Sequence, residues 1–394
     1  MRILEVNKFY YPRRGAERHF LDCINLLKQT GHSVAVFTMD DKRTVSRENE
    51  KYFVSSVGYN GSDSNFLSRL RGIGRLFWSF EARRKMRALI RDFRPELVHV
   101  HNAYHQLSLS FFPLVKEAGI PLIMTVHDYA MISPDKDAYY PAVGKQYFKF
   151  LWIKKYSLAK RMLLVMKKYW EDWYGFYAFV DCFIVPSRFV ENILLSTGIK
   201  KEKMIVLPHF IKNEKRESVS SEAPTDAPYA LYFGAITEEK NIRELTAIFE
   251  ELRFPLYLAG VKGMDIAEGK YVKYVGEKDT EVLRVLIGQA LFVVSATRLP
   301  ETFGLVALEA NSLGKPFFGY ATGAFPEIID NGKNGWLVGS RGELKEKIVD
   351  FISGVIHSDS PDKISGNAKE KYGAENYMKK FEQLVGLVKM SGRE

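Results

Sequence analysis

What this chain can fold into is limited first by an alternation of short apolar segments with helix-length ones, which runs twice with a polar interval between. Strand-like segments stand at residues 3–6, 33–38, 97–101, 122–125 and 182–185, and again at 229–233, 256–259, 271–275, 291–295 and 316–320. Each series predicts a parallel sheet with helices on both faces, because helix-length connections return the chain to the same edge. The interval 213–228 (NEKRESVSSEAPTDAP) is polar and proline-bearing, with no large apolar residue, and reads as an interdomain linker. A chain of 394 residues holds two cores at roughly 100–200 residues per domain. The expected organisation is a first domain over 1–212, the linker, a second domain over 229–372 and a helix over 373–394 that packs back on the first. That helix is read from Tyr377, Met378, Phe381, Leu384, Val385 and Val388, one apolar stripe at helical spacing.

Composition removes several classes. A chain that is 46% hydrophobic and 26% charged is expected to be folded almost throughout. Glu5 stands where the apolar region of an export signal would lie, so none is expected. Apolar runs such as 162–166 are broken by Lys or Arg far short of the roughly 20 residues of a membrane span. Cys23 and Cys182, far apart in apolar segments, fit buried thiols and a cytoplasmic setting better than a disulfide or a metal site.

A formal net charge of +10 favours anionic partners. Between Arg69 and Arg94, nine basic residues stand against only Glu81 and Asp92, interleaved with Leu70, Ile73, Leu76, Phe77, Trp78 and Phe80. From Lys145 to Tyr177, lysines are interleaved with Tyr147, Phe148, Phe150, Trp152, Tyr169, Trp170 and Trp173. Both stretches read as amphipathic helices with a basic face, either solvated above a core or resting on an anionic membrane surface. They lack a recognisable nucleic-acid-reading module, so no nucleic acid is expected as partner.

The stretch from Pro300 to Ala310 (PETFGLVALEA) follows a strand candidate and opens a helix. In continuous helix, eight residues turn through about 800° and leave Glu301 and Glu309 about 80° apart, so the two share a face only if Glu301 lies in the preceding loop. A helix N-terminus opened by Gly304 offers amides and partial positive charge to a diphosphate. Glu309 can then accept from ribose hydroxyls, and Glu301 from those of a sugar beyond the phosphates. Taken alone, the pair fits two solvated glutamates as well.

With these residues the chain resembles the large retaining glycosyltransferase family four, whose architecture, GT-B, is two facing doubly wound, Rossmann-like α/β domains with a cleft between them. The resemblance covers nearly the whole chain and centres on the E-x7-E motif, Glu301 and Glu309. Around it stand, in the family's order, Arg14-Gly15-Ala16-Glu17, Thr125-Val126-His127-Asp128, Ser187-Arg188-Phe189, the segment Gly234 to Asn241 and Gly323-Ala324-Phe325-Pro326-Glu327.

The resemblance implies a nucleotide-sugar donor held by Gly15, Gly234, Lys240, Glu301, Phe303, Gly304, Leu305 and Glu309. Lys240 would be the cation on the pyrophosphate, and His127 would hydrogen-bond a sugar hydroxyl or the departing phosphate. Lys240, Glu301 and His127 are thus the expected catalytic groups. Arg14, Glu17, Asp128 and Arg188 would line the acceptor side, a glycan or lipid-linked hydroxyl; Asp128 and Arg188 fit structural roles as well. No cofactor and no metal are expected, since the resemblance implies that helix N-terminal amides and a lysine, rather than a bound divalent metal, meet the charge on the leaving diphosphate. Attack by the acceptor on the face the diphosphate leaves is the implied mechanism. Where the family has a second glycine in its first turn, a Gly-Arg arginine, an Asn and a second glycine before Pro-Glu, this chain has Arg14, Ala235, His209 and Ala324. A catalytically silent binding subunit and a nucleotide-sugar epimerase are the alternatives.

Overall fold

The computed structural model describes residues 1–56, 66–212, 227–266 and 268–391. Most of the expected linker, residues 213–226, lies outside them, as do the side chains of residues 66–71 and 391. The chain forms two compact units: Met1–Pro186, Val190–Leu207 and Met378–Glu394 make one, and Ser187–Phe189 with Pro208–Tyr377 the other.

The first unit runs β1 (Arg2–Val6), α1 (Gly15–Gln29), β2 (Ser33–Phe37), α2 (Phe66–Phe77), α3 (Phe80–Phe93), β3 (Leu97–Val100), α4 (Phe112–Glu117), β4 (Leu122–Thr125), α5 (Leu158–Tyr174), β5 (Cys182–Val185), α6 (Arg188–Ser196) and β6 (Met204–Val206). Its strands form one parallel sheet in the order β2-β1-β3-β4-β5-β6. The winding reverses between β1 and β3. In a parallel sheet that reversal leaves a crevice beyond the carboxyl ends of the strands, where diverging connections cannot fill it.

The second unit repeats the plan with β7 (Ala230–Phe233), α7 (Ile242–Leu252), β8 (Leu256–Ala259), β9 (Val272–Gly276), α8 (Thr280–Gln289), β10 (Phe292–Ser295), α9 (Leu305–Ser312), β11 (Phe317–Tyr320), α10 (Phe325–Ile328), β12 (Gly335–Val338), α11 (Arg341–Ile352) and α12 (Pro361–Tyr372). The order is β12-β11-β10-β7-β8-β9, with the reversal between β7 and β10. Alternation along β7 buries both faces: Leu231 and Phe233 pack with Leu286, Phe303 and Phe325, while Ala230 and Tyr232 pack with Ile242, Phe249 and Trp336. The last helix, α13 (Ala374–Ser391), buries Met378, Phe381, Leu384, Val385 and Val388. Phe381 stacks 5.6 Å from His99, and Lys389 reaches Glu96 at 3.5 Å.

The architecture is the expected two-sheet α/β one, but each sheet has an edge strand that periodicity did not announce. β6 is three residues long, and β12 begins at Gly335, where a Cβ would lie 2.1 Å from the Phe317 carbonyl oxygen. The two basic-aromatic stretches are not single helices. Between α2 and α3, Ser79 turns extended and its side chain accepts from the Ala82 amide at 3.1 Å, which starts a new helix. The second stretch is a 3₁₀ turn (Tyr147–Trp152) followed by α5, capped by Ser157 and ended by Gly175 at φ 74°.

Gly234 and Gly260 face each other at the ends of β7 and β8. Gly260 has φ +144°, and a Cβ there would lie 1.8 Å from the Gly234 carbonyl oxygen. Gly260→Ala is expected to cost at least about 1–3 kcal/mol in chemical denaturation; an unchanged midpoint would contradict the close approach.

Candidate functional site

In the second unit, the residues singled out by sequence gather at the carboxyl edge where the sheet reverses. β7 ends at Gly234 (φ +138°), and a 3₁₀ turn, Glu238–Lys240, carries Lys240 towards the end of β10. Asn241, left-handed at φ 57°, fixes that turn by donating its side-chain amide to the Ala296 carbonyl at 3.1 Å. Lys240 forms an ion pair with Glu301, and both side chains remain partly exposed. Glu301 lies in the loop ahead of α9, as required if it is to face the same ligand as Glu309. Gly304, at φ 99°, is the N-cap, and no side chain caps the helix. A Cβ on Gly304 would come within 2.8 Å of the Phe325 ring. Phe303 is buried in the core, Leu305 opens the helix, and Glu309 is partly exposed one turn further on. The Glu301 loop rests on a second tight approach: Gly323 has φ +58°, a Cβ there would lie 2.3 Å from the Glu301 nitrogen, and the Ala324 amide donates to the Glu301 carbonyl at 2.9 Å.

Arg188 also groups with this unit. Its amide and that of Phe189 donate to the Glu327 carboxylate at 2.9 and 2.8 Å, while Ser187 donates to the Thr302 carbonyl at 2.7 Å. The motifs ending in Phe189 and in Glu327 therefore interlock. The Arg188 segment buttresses the Glu301 loop through its backbone.

In the first unit, the strand-end residues converge on a buried histidine cluster. Glu5 on β1 is the register partner of His99 on β3, and the period of two places His101 beyond it on the same face. His99 Nδ1 and His101 Nε2 lie 2.9 Å from the two oxygens of Glu5, His99 Nε2 lies 2.8 Å from Thr125 Oγ1, and His101 Nδ1 lies 2.8 Å from His127 Nε2. Glu5, His99 and His101 are fully buried, and His127, just past β4, nearly so. Burial would raise the Glu5 carboxyl, but the two imidazoles outweigh it and hold it at about 2. Burial, aided by His99, pushes His101 down to about 4 against the pull of Glu5. Glu5, His99 and His101 bring ligand-type atoms within 4.8 Å of one another, the spacing a metal needs. Each of those atoms is already used in a hydrogen bond within the cluster.

The other residues assigned to the acceptor side divide. Arg14 is exposed, 3.8 Å from Asp137, and precedes α1, which opens at Gly15 without a side-chain cap. Gly15 is not in the left-handed region. Glu17 is buried within α1, which does not suit a residue lining an open site. Asp128 accepts from the Ala130 amide at 3.0 Å and so shapes the turn after His127. Burial raises its carboxyl above the usual range, against the nearby Lys8. Glu5, His99 and His101 were not foreseen as a site. A carboxylate inside an otherwise apolar strand and the His-Val-His repeat were the visible signals, and only the register joins them.

The basic-aromatic stretches come together on the surface of the first unit, where the Trp170 indole donates to the Phe77 carbonyl at 3.0 Å. Along α5, Leu158, Met162, Met166, Tyr169 and Trp173 share one exposed face, and Trp152 is 71% and Trp173 77% exposed. Lys145, Lys149, Lys154 and Lys160 are exposed beside them, but Lys167 and Lys168 are not part of a basic face. Both are buried and paired with Glu171, and Lys168 also reaches Asp172 at 3.1 Å. Among the described residues no helix is long and apolar enough to cross a membrane.

Two sequence families match the chain: Glycosyltransferase Family 4 over residues 13–215 and Glycosyl transferases group 1 over residues 213–371. An uncharacterized glycosyltransferase of Methanocaldococcus jannaschii, MJ1178, is 22% identical over 73% of each chain. Sucrose-phosphate synthase from Thermosynechococcus elongatus superposes with a TM-score of 0.69 at 17% identity over 99% of both chains. Anabaena Alr3699/HepE, solved with UDP-glucose, gives 0.63 at 15% identity over 98% of this chain and 99% of that one.

An unfolded His101 takes up a proton near 6.5 and the folded one only near 4, so the stability it contributes is complete above 6.5 and falls as pH drops through that window. The slope is at most about 1.4 kcal/mol per pH unit for one proton. Thermal melts should therefore lose stability more steeply across this window in the wild type than in His101→Phe; equal slopes would contradict the buried neutral ring.

Proposed function

Because the chain belongs to Glycosyltransferase Family 4, we propose that it is a retaining enzyme that moves a sugar from a UDP- or GDP-sugar to an acceptor hydroxyl, without a bound metal. That it is a glycosyltransferase of GT-B fold follows from the family and from the solved structures it superposes on. The observation that carries the finer reading is the Lys240–Glu301 pair beside the uncapped start of α9, at the point where the second sheet reverses. Without ligand, the cation is held by a carboxylate. A diphosphate entering here exchanges that partner for its own charge, which frees Glu301 to accept from sugar hydroxyls. Lys240 and the α9 amides then stabilise the charge that grows on the leaving diphosphate. Glu309 takes the ribose. UDP-glucose in the HepE structure supports a nucleotide-sugar donor of this class.

For the acceptor, the support is the exposed apolar face of α5 with its lysines. Such a face suits a protein that rests on the cytoplasmic side of a membrane and acts on a lipid-linked or surface-polysaccharide intermediate.

Three measurements test this reading. In a thermal-shift panel of UDP, GDP, ADP, CMP and dTDP, one nucleotide should raise the melting temperature, by an amount equivalent to about 2.7 kcal/mol at a hundredfold excess over Kd. The shift should vanish in Glu309→Ala; no response to any nucleotide sinks the donor site. Lys240→Ala should then lower kcat by about 10²–10³. The protein should also co-sediment with anionic vesicles at low salt and be released by Trp152→Ala/Trp173→Ala. Equal recovery with neutral vesicles, or none with anionic ones, removes the membrane proposal.

A further inference from the structure

We propose that Lys8 and Arg13 bind a phosphate group of the acceptor, so that the acceptor is an anion rather than a neutral glycan. This deepens the transferase reading and rests on it, since it takes the first unit as the acceptor side.

Lys8 follows β1 at the edge where the winding of the first sheet reverses. Its backbone is held from both sides: its amide donates to the Asn102 carbonyl at 2.7 Å, and its carbonyl accepts from the Met39 amide at 3.4 Å. Asn7 ties the same segment, donating to the Phe9 carbonyl at 2.7 Å and accepting from the Asn102 amide at 3.0 Å. Lys8 is only 8% exposed. A lysine buried to that degree is ordinarily paired. Among the described residues its ammonium has neither a hydrogen bond nor a carboxylate within ion-pair distance, and the Phe9 ring centroid lies 5.6 Å from it. Burial pushes the ammonium below the usual lysine range, with Lys136 and Arg13 adding to the push and Asp128 and Glu17 opposing it from further off. Those four groups stand in the loops after β1 and β4 and in the first turn of α1, which sets the ammonium among the residues of the carboxyl edge.

Arg13 shares the Phe9 ring, its guanidinium carbon 4.7 Å from the centroid. It is exposed, and among the described residues it too has no hydrogen bond or ion pair. The carboxylates around the two cations are engaged elsewhere. Asp41 accepts from Arg43 at 2.8 Å, Asp137 pairs with Lys136 and lies 3.8 Å from Arg14, and Asp128 accepts from the Ala130 amide at 3.0 Å. Glu17 is buried within α1. Two cations therefore meet on one aromatic ring without a counter-ion. Directly after Arg13 and Arg14, α1 opens at Gly15 with no side-chain cap, and its partial positive charge adds to theirs. An anion of more than one charge relieves this crowding. Phosphate suits it, since it can accept from an ammonium and from a planar guanidinium at once. A neutral sugar hydroxyl would leave the buried charge uncompensated.

The test is a thermal-shift titration of the full-length protein with inorganic phosphate, the donor site being filled beforehand by the nucleoside diphosphate that responds in the panel. Phosphate should raise the melting temperature further, and acetate at equal ionic strength should not. In Lys8→Met and in Arg13→Ala the phosphate Kd should rise about tenfold or more, the worth of one hydrogen bond to a charged group, while the nucleotide shift persists. Lys8→Met keeps the apolar stem and removes an unpaired buried charge, so it should melt no lower than the wild type; a lower melting temperature gives the ammonium a structural partner and overturns the proposal. Arg13 is exposed, so Arg13→Ala reads the site even where the other variant fails to fold. No phosphate effect in the wild type, an equal effect of acetate, or an unchanged Kd in the variants overturns the proposal. Loss of the nucleotide shift in either variant assigns these cations to the donor diphosphate and overturns it as well. A wild type that answers to no nucleotide, yet gains a phosphate shift that both variants lose, keeps the anion site and strikes at the transferase reading instead.

Discussion

Parallel strands must be joined by crossovers, and that requirement shapes both units. It buries both faces of each sheet beneath helices and leaves the strand carboxyl ends as the place where polar side chains can gather. In the second unit, Gly234, Lys240, Glu301 and Gly304 all stand at that edge, beside the reversal between β7 and β10. In the first unit, His101 and His127 occupy the matching edge beside the reversal between β1 and β3. The two edges are built differently. One relies on close backbone approach at Gly260, Gly304 and Gly323, the other on a buried chain of proton donors and acceptors.

The glycines explain why the loop motifs hold together although parts of them have changed. Gly323 cannot carry a side chain, because its Cβ would meet the Glu301 backbone. Its neighbour Ala324 has ordinary right-handed dihedrals and is buried, so a second glycine is not demanded there. Ala235, by contrast, stands where the family resemblance implies a guanidinium, and its methyl side chain offers no hydrogen bond to a phosphate. Lys240, which borrows Glu301 as its partner when no ligand is present, is the cation of this edge within reach of that carboxylate.

The sequence made the alternation of strands and helices and the loop placement of Glu301 readable, because each has a local cause: periodicity, or a glycine before a helix. It did not disclose β6, which is too short to show a period, or the cut at Ser79, where a capping side chain overrides an amphipathic pattern. Lys167 and Lys168 looked like a solvated face because charge is visible in sequence and its burial against Glu171 is not. The Glu5–His99–His101–His127 cluster is the clearest case. Its members lie as far as 122 positions apart in the chain (127 − 5) and meet only through strand register.

The central claim is that this chain transfers a sugar from a nucleoside diphosphate with its anomeric configuration kept. The most direct measurement incubates the protein with each radiolabelled UDP- and GDP-sugar and an acceptor-bearing membrane fraction, then determines the linkage of the labelled product by NMR. The account predicts label on the acceptor from one donor, in the donor's own anomeric configuration, and almost none from Lys240→Ala. Transfer with inverted configuration, or undiminished transfer by that variant, would contradict it.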